Sequence, residues 1–497
     1  MRAKQQFTPI FPAWHSKLAP LGRRSAATAR TLRHATLTQI EQSLGAALPQ
    51  NLLGQNPSKD HSRERIFTLS RTVWCWIWQI LQANTSCREV VRQVQSLFSI
   101  HDAGEVDNGT GAYCVARGKL ALRLLETLFH TSFKSAETVA NAFPLSLLQG
   151  RPIRVVDGSG TRLPDTLANR KAFPPSKSLP ACTGFPYLRF VVLFSMASGA
   201  LLAHATGSLQ SNELRLWLDL LPSLHRGDIL LGDRAYGHYV VVALLQAAGV
   251  DLIATVPNRS RTVDFRRCKK RLARNDALFV WSKPKKCSAL LSAAQWALLP
   301  KEITVRILRL KTHRPGFRPE SIVLATSLLD SELYPAAEII QAHARRWRLE
   351  MTLDDLKTTL AMESLSCRTP EMIHKELLVF LTAHNLIRWI MVSSALQENA
   401  DLDRLSFKGA LDAFRQWSQA MAICSRQKHR HLDLWRRLLR SIAADLVPLR
   451  PGRKEPRAVK KRSKYPPLNK PRAQYLGRPS RNKRRRLANA KKRTATN

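Results

Sequence analysis

The chain has 497 residues, enough for roughly two to four domains at ~100–200 residues each, and its 44% apolar content excludes wholesale disorder. Its 79 Lys and Arg against 36 Asp and Glu leave a net charge of +43, and +25 remains when residues 450–497 are set aside, so the charge is not merely that of a basic tail. A polyanionic partner, nucleic acid, fits this balance, while eight scattered cysteines with no pair two to four residues apart exclude a zinc-ligand pair and suit a reducing compartment.

Residues 1–60 are punctuated by Pro9, Pro12, Pro20, Pro49 and Pro57 and are expected to be poorly ordered, with some helix within Thr31–Ala47. The start lacks the apolar stretch of a signal peptide, and the run Thr72–Leu81 is too short for a bilayer, which needs ~20 residues. Residues 61–150 read as all-α. The run from Phe67 to Leu81 is dense and apolar, Ser86 and Glu89 form a capping-box pattern, and further helices are expected over about Ala116–His130 and Ala136–Leu147.

The texture changes at Arg151. A short strand Ile153–Asp157 is expected to end at Gly158-Ser-Gly160, followed by strands Arg189–Phe194 and Leu201–Ala205. Helix Asn212–Leu224, strand Asp228–Asp233, helix His238–Ala248 and strand Asp251–Val256 complete a first core section, 151–257. Strands first, then alternation with helices, predict an α/β core with a mixed sheet. Residues 258–328 read as a β-rich insertion: a basic cluster over 259–274, then strands Ala277–Trp281, Ile303–Leu310 and Ile322–Ala325. The second core section, 329–448, is helical from Pro335. The tail, 449–497, is basic and is expected to be disordered without a partner.

Three acidic residues stand out. Asp157 and Asp233 each close a predicted strand, where α/β proteins place ligands, and Glu350 lies on a helix. On a wheel at ~100° per residue, His343, Arg346, Glu350 and Lys357 fall within roughly 60° of one another, beside a stripe of Leu349, Leu353, Leu356 and Leu360. A charged edge bordering the buried side suits a cleft better than a solvated face. Three carboxylates could hold two Mg²⁺ ions ~3.5–4 Å apart, the arrangement that clamps both oxygens of a phosphodiester displacement, and nearby Arg and Lys would hold phosphate oxygens.

The segments Asp157-Gly-Ser with Leu163-Pro-Asp-Thr166, Leu231-Gly-Asp-Arg-Ala-Tyr236, and the 343–357 helix together resemble the DDE transposases of the insertion-sequence-4 family. That family's hallmark Y-x2-R-x3-E-x6-K is matched at Arg346, Glu350 and Lys357; His343 stands in place of Tyr. The resemblance spans roughly 60–400. It implies a ribonuclease-H-like core with a β insertion between the second Asp and the Glu. It also implies catalytic, metal-holding Asp157, Asp233 and Glu350, with His343, Arg346 and Lys357 on DNA phosphate. The expected cofactor is Mg²⁺, two ions, with Mn²⁺ as a substitute. The expected partners are terminal inverted repeats and target DNA, bound by a homodimer, with end-specific binding in the N-terminal helices and no membrane. The expected location is the bacterial cytoplasm, on the nucleoid.

Each feature also has an ordinary structural reading. Asp157 before Gly-Ser-Gly could be a turn residue, Asp233-Arg234 a surface pair, and Arg346–Glu350 an i,i+4 helix pair worth ~0.3–0.5 kcal/mol. Order and context favour the catalytic reading. Secondary candidates are Glu213 at a helix start, His238 beside Asp233, Trp281 and Trp296 for stacking on an extruded base, and Arg162 and Asp165 for fixing the loop after the first strand. The alternatives are a ribonuclease-H-like nuclease without transposition, an inactive transposase-derived DNA-binding protein, and an RNA-binding protein.

Overall fold

The computed structural model describes residues 43–48, 53, 66–82, 85–100, 105–142, 146–175, 184–256, 263–312, 320–423 and 428–448. Most of the 1–60 segment, part of the 259–274 basic cluster and the 449–497 tail lie outside these residues.

The N-terminal region is helical: α1 Leu69–Leu81, α2 Cys87–Ile100, α3 Gly111–Lys119 and α4 Leu122–Ala140. Thr68 caps α1 by accepting from the Arg71 N–H. The capping box of α2 closes both ways, Ser86 N–H to Glu89 Oε2 at 2.6 Å and Glu89 N–H to Ser86 Oγ at 3.3 Å. One boundary differs from the sequence reading. The break falls at Leu120, in extended backbone, and not after His130, so α4 runs unbroken for 19 residues. No Gly or Pro lies within α4 to interrupt it.

The core is one nine-stranded sheet: β1 Ile153–Arg162, β2 Tyr187–Ser195, β3 Leu201–Ser208, β4 Ile229–Gly232, β5 Asp251–Thr255, β6 Lys270–Ala273, β7 Asp276–Ser282, β8 Glu302–Thr312 and β9 Glu320–Thr326. The strand order is β3-β2-β1-β4-β5-β9-β8-β7-β6. β1, β2 and β3 pair antiparallel, β4 and β5 pair parallel to β1 and to each other, and the rest is antiparallel. The mixed sheet read from the sequence is thus present. The insertion strands extend this same sheet and do not form a separate one. Strand β6 was hidden in the basic cluster. It is the outer edge, with exposed Lys270 and Arg271, and charge there discourages further pairing.

Helices α5 Leu167–Ala172, α6 Glu213–Leu218, α7 Tyr239–Ala247 and α8 Ala293–Leu298 connect strands; α9 Ala336–Asp354, α10 Pro370–Glu398, α11 Phe407–Ile423 and α12 Lys428–Ala444 follow. Two apolar layers flank the sheet. The front layer joins Ile153, Val155, Ile229, Leu231 and Ile253 to α1, α9 and α10. The back layer joins Val156, Leu230 and Leu252 to α6 and α7. Helix α10 is long and apolar enough to cross a membrane, but 83% of its apolar window is buried inside the protein, against α4 and α12.

Candidate active site

The sequence reading ended the first strand at Asp157. In the structure Asp157 is the fifth of ten residues in β1. Its antiparallel ladder with β2 continues to Arg162↔Tyr187, whereas its parallel ladder with β4 stops at Val155↔Leu231. Asp157 and Asp233 each lie two residues beyond that last pair. Because strand side chains alternate, both aspartates carry on the front face of Val155 and Leu231. Both are half-buried. Asp157 Oδ1 accepts from the Gly158 N–H at 2.8 Å, and Asp233 Oδ1 accepts from the Ala235 N–H at 2.7 Å, an Asx turn that fixes the exit from β4.

Helix α9, which carries Glu350, packs over β1 and β5 on this face. It is pinned from two sides. His343 is 5% exposed, and its Nε2 lies 3.2 Å from Thr255 Oγ1 at the end of β5. Burial, with the Arg346 charge behind it, lowers the His343 pKa to about 4, so the ring is neutral at physiological pH. Where the Thr255 hydroxyl donates to Nε2, the ring proton stands on Nδ1. Arg346 is also buried, at 7% exposure. Beyond Asp354 the helix widens into a π turn, Asp355–Thr359, closed by Leu360 N–H to Asp355 O at 2.9 Å. The ideal wheel therefore fails at half-buried Lys357, although Leu353, Leu356 and Leu360 are buried in the front layer as expected. The following segment is laced to β1: Thr161 Oγ1 donates to Met362 O at 2.8 Å, and Leu365 N–H to Arg162 O at 3.0 Å.

Burial also pushes the Asp355 carboxyl up to about 7, opposed by the nearby Arg388 guanidinium. A raised carboxyl binds more protons folded than unfolded, so its contribution is fully present below the unfolded value, ~4, and is lost as pH rises through about 7. Asp355→Asn, which does not titrate, should therefore gain stability relative to the unmodified chain as pH goes from 5 to 8. Urea unfolding at several pH values checks this; a constant difference would contradict it.

Glu213 is the first residue of α6, capped by Asn212 Oδ1 accepting from the Leu214 N–H at 2.9 Å. Burial first, then the Asp233 charge, raises its pKa. The Tyr236 hydroxyl lies 3.3 Å from Glu213 Oε1. Tyr236 itself is fully buried. His238 stands at the N-cap of α7 and makes no capping bond with its side chain. Trp281 and Trp296 pack on the back layer, with Lys283 Nζ 5.2 Å from the Trp296 ring centre. Asp165 pairs with Arg170 of α5, and the Arg162 backbone bridges to Ser364.

A sequence profile of the transposase DDE domain matches residues 148–386, which include Asp157, Asp233 and Glu350. The transposase InsG of insertion sequence element IS4, from Escherichia coli K12, is 25% identical over 441 residues, covering 87% of this chain and 95% of that one. This chain is a DDE transposase, similar to that of insertion sequence element IS4. The piggyBac transposase in its synaptic complex with hairpin DNA is similar over 85% of both chains, with 10% identity and a TM-score of 0.38. The transposase is a DNA-binding enzyme whose family depends on a divalent metal to cut DNA. Its paired aspartates offer hard oxygen donors of the kind such ions prefer. Among the described residues no three His, Cys, Asp or Glu side chains form a metal group.

Proposed function

We propose that Asp157, Asp233 and Glu350 hold two Mg²⁺ ions, with Mn²⁺ able to substitute, and that this one site both frees and joins the ends of a mobile element. The observation that carries the proposal is the pair of aspartates two residues past the β1–β4 ladder, on the face covered by the helix bearing Glu350. When bound, the metal pair would supply charge stabilisation to the attacking and leaving oxygens. The three carboxylates hold that charge in place. Arg346 and Lys357 serve the phosphate oxygens, and His343 adds at most one uncharged N–H while tying α9 to β5. Water attacks the phosphodiester, the 3′ oxygen leaves and takes a proton, and in the second step the resulting 3′-OH attacks a target phosphodiester, whose own 3′ oxygen leaves and takes the proton the attacking hydroxyl gives up.

The order β3-β2-β1-β4-β5, three antiparallel strands followed by two parallel ones, supports a ribonuclease-H-like core. We assign end recognition to the N-terminal helices, joining to a homodimer on DNA, and the location to the bacterial cytoplasm. The test is purified protein with a DNA fragment bearing the element's terminal repeat and a target plasmid in Mg²⁺. Cuts at the repeat followed by joined products are expected. Cutting without joining would favour the nuclease, and binding without cutting the inactive DNA-binding protein.

The tail, residues 450–497, holds 19 basic residues and one acidic residue. Contacts from such side chains to phosphate release counterions and ignore sequence. Deleting the tail should weaken specific and random DNA binding by similar factors and make the slope of log K against log salt shallower. An unchanged slope would show that the tail does not touch DNA.

A further inference from the structure

We propose that Glu213 and Tyr236 are positioning residues for the transposase reaction, a hydrogen-bonded strut behind the sheet that sets Asp157 and Asp233 relative to each other. The inference rests on the active-site reading above.

Each aspartate has a glycine as its chain neighbour, and each glycine opens toward the back face because side chains alternate along a strand. A Cβ on Gly158 would lie 2.7 Å from Glu213 Cδ, and a Cβ on Gly232 would lie 2.7 Å from Tyr236 Cβ. The Glu213 carboxyl is therefore seated on the backbone beside Asp157, and Tyr236 on the backbone beside Asp233. The Tyr236 hydroxyl, 3.3 Å from Glu213 Oε1, joins the two. Both ends are anchored. Leu216 and Trp217 fix α6 in the back layer, and Trp217 meets the Tyr236 ring edge-on at 5.8 Å. The Tyr236 N–H donates to Asp233 O at 3.2 Å, so the turn that aims Asp233 also carries Tyr236.

The placement argues for positioning over direct ligation. Glu213 sits behind Gly158, whereas Asp157 faces front. Packing alone is a poor account of it, because a carboxyl in an apolar layer costs free energy that a leucine would not.

The test uses full-length Glu213→Gln, Glu213→Ala and Tyr236→Phe, with Asp157→Ala as the control on the site itself. Cleavage is measured against Mg²⁺ concentration, and Mn²⁺ binding to the complex with end DNA is measured by calorimetry. Glu213→Gln should stay near the unmodified protein, because its amide oxygen can still accept from Tyr236. Glu213→Ala and Tyr236→Phe should need about three- to ten-fold more Mg²⁺ and bind Mn²⁺ more weakly by a similar factor, the scale of one hydrogen bond. If Glu213→Ala fails to fold, Tyr236→Phe, which removes a single oxygen, carries the test. Glu213→Gln as impaired as Glu213→Ala would show that the charge acts directly, and would overturn the strut. Unchanged metal dependence in Tyr236→Phe would overturn it too. Retained cleavage in Asp157→Ala would sink the active-site assignment instead, so the two failures are distinguishable.

Discussion

Alanine at Asp157, Asp233 or Glu350 is expected to abolish strand cleavage while leaving binding to the element's end intact. In the proposed site each carboxylate would hold positive charge where negative charge develops on the reacting phosphate, and losing one such stabilising group costs ~10²–10³-fold or more. Binding depends on the basic surface of a chain with net charge +43, which loses no basic group in any of the three variants. Gel shift and strand cleavage measured on the same preparations separate the two properties. Near-full cleavage in any one variant would remove that residue from the site.

The largest expected effect on stability lies away from the carboxylates. Arg306 of β8 is 1% exposed and forms a two-pronged pair with Asp276 of β7, Nε to Oδ1 at 2.9 Å and Nη2 to Oδ2 at 2.6 Å. Its Nη1 also donates to Tyr334 O at 2.7 Å and to Asp330 O at 3.3 Å. These carbonyls belong to the segment leading into α9, so the pair holds the outer strands and the lead-in to the Glu350 helix together. Asp276→Ala leaves the guanidinium buried without its counter-charge and should cost ~3–5 kcal/mol. Arg306→Lys should rescue little, since a point charge cannot reproduce the fork. Thermal and urea unfolding would report the loss; a change within ~0.5 kcal/mol, the scale of ordinary surface substitutions, would refute it.

Much of this architecture is legible in the sequence because its signals are local. Short, largely apolar runs mark β2, β3 and β5; Ser86 with Glu89 marks the start of α2; the spacing of Arg346, Glu350 and Lys357 marks the helix that covers the site. What the sequence hides depends on tertiary pairing. β1 continues past Asp157 only because β2 stays paired after β4 has stopped. β6 reads as a charge cluster because an edge strand needs no apolar face. The π turn at Asp355–Thr359 has no period of its own, so Lys357 could be counted onto the motif but not placed on the wheel. The burial of His343 against Thr255 joins residues 88 apart in sequence. Glu213 drew attention as a first-turn acid, but its partner Tyr236 and its seat on Gly158 depend on the sheet.

The central claim is that Asp157, Asp233 and Glu350 share one metal site. Replacing Mg²⁺ with Fe²⁺ in the DNA-bound transposase and generating hydroxyl radicals at the ion cuts the polypeptide next to its ligands, and mass spectrometry maps the cuts. Breaks clustered at three places, around residues 157, 233 and 350, and suppressed by excess Mg²⁺, are the predicted result. Breaks at only one of these places, or at sites elsewhere that Mg²⁺ does not suppress, would contradict the account.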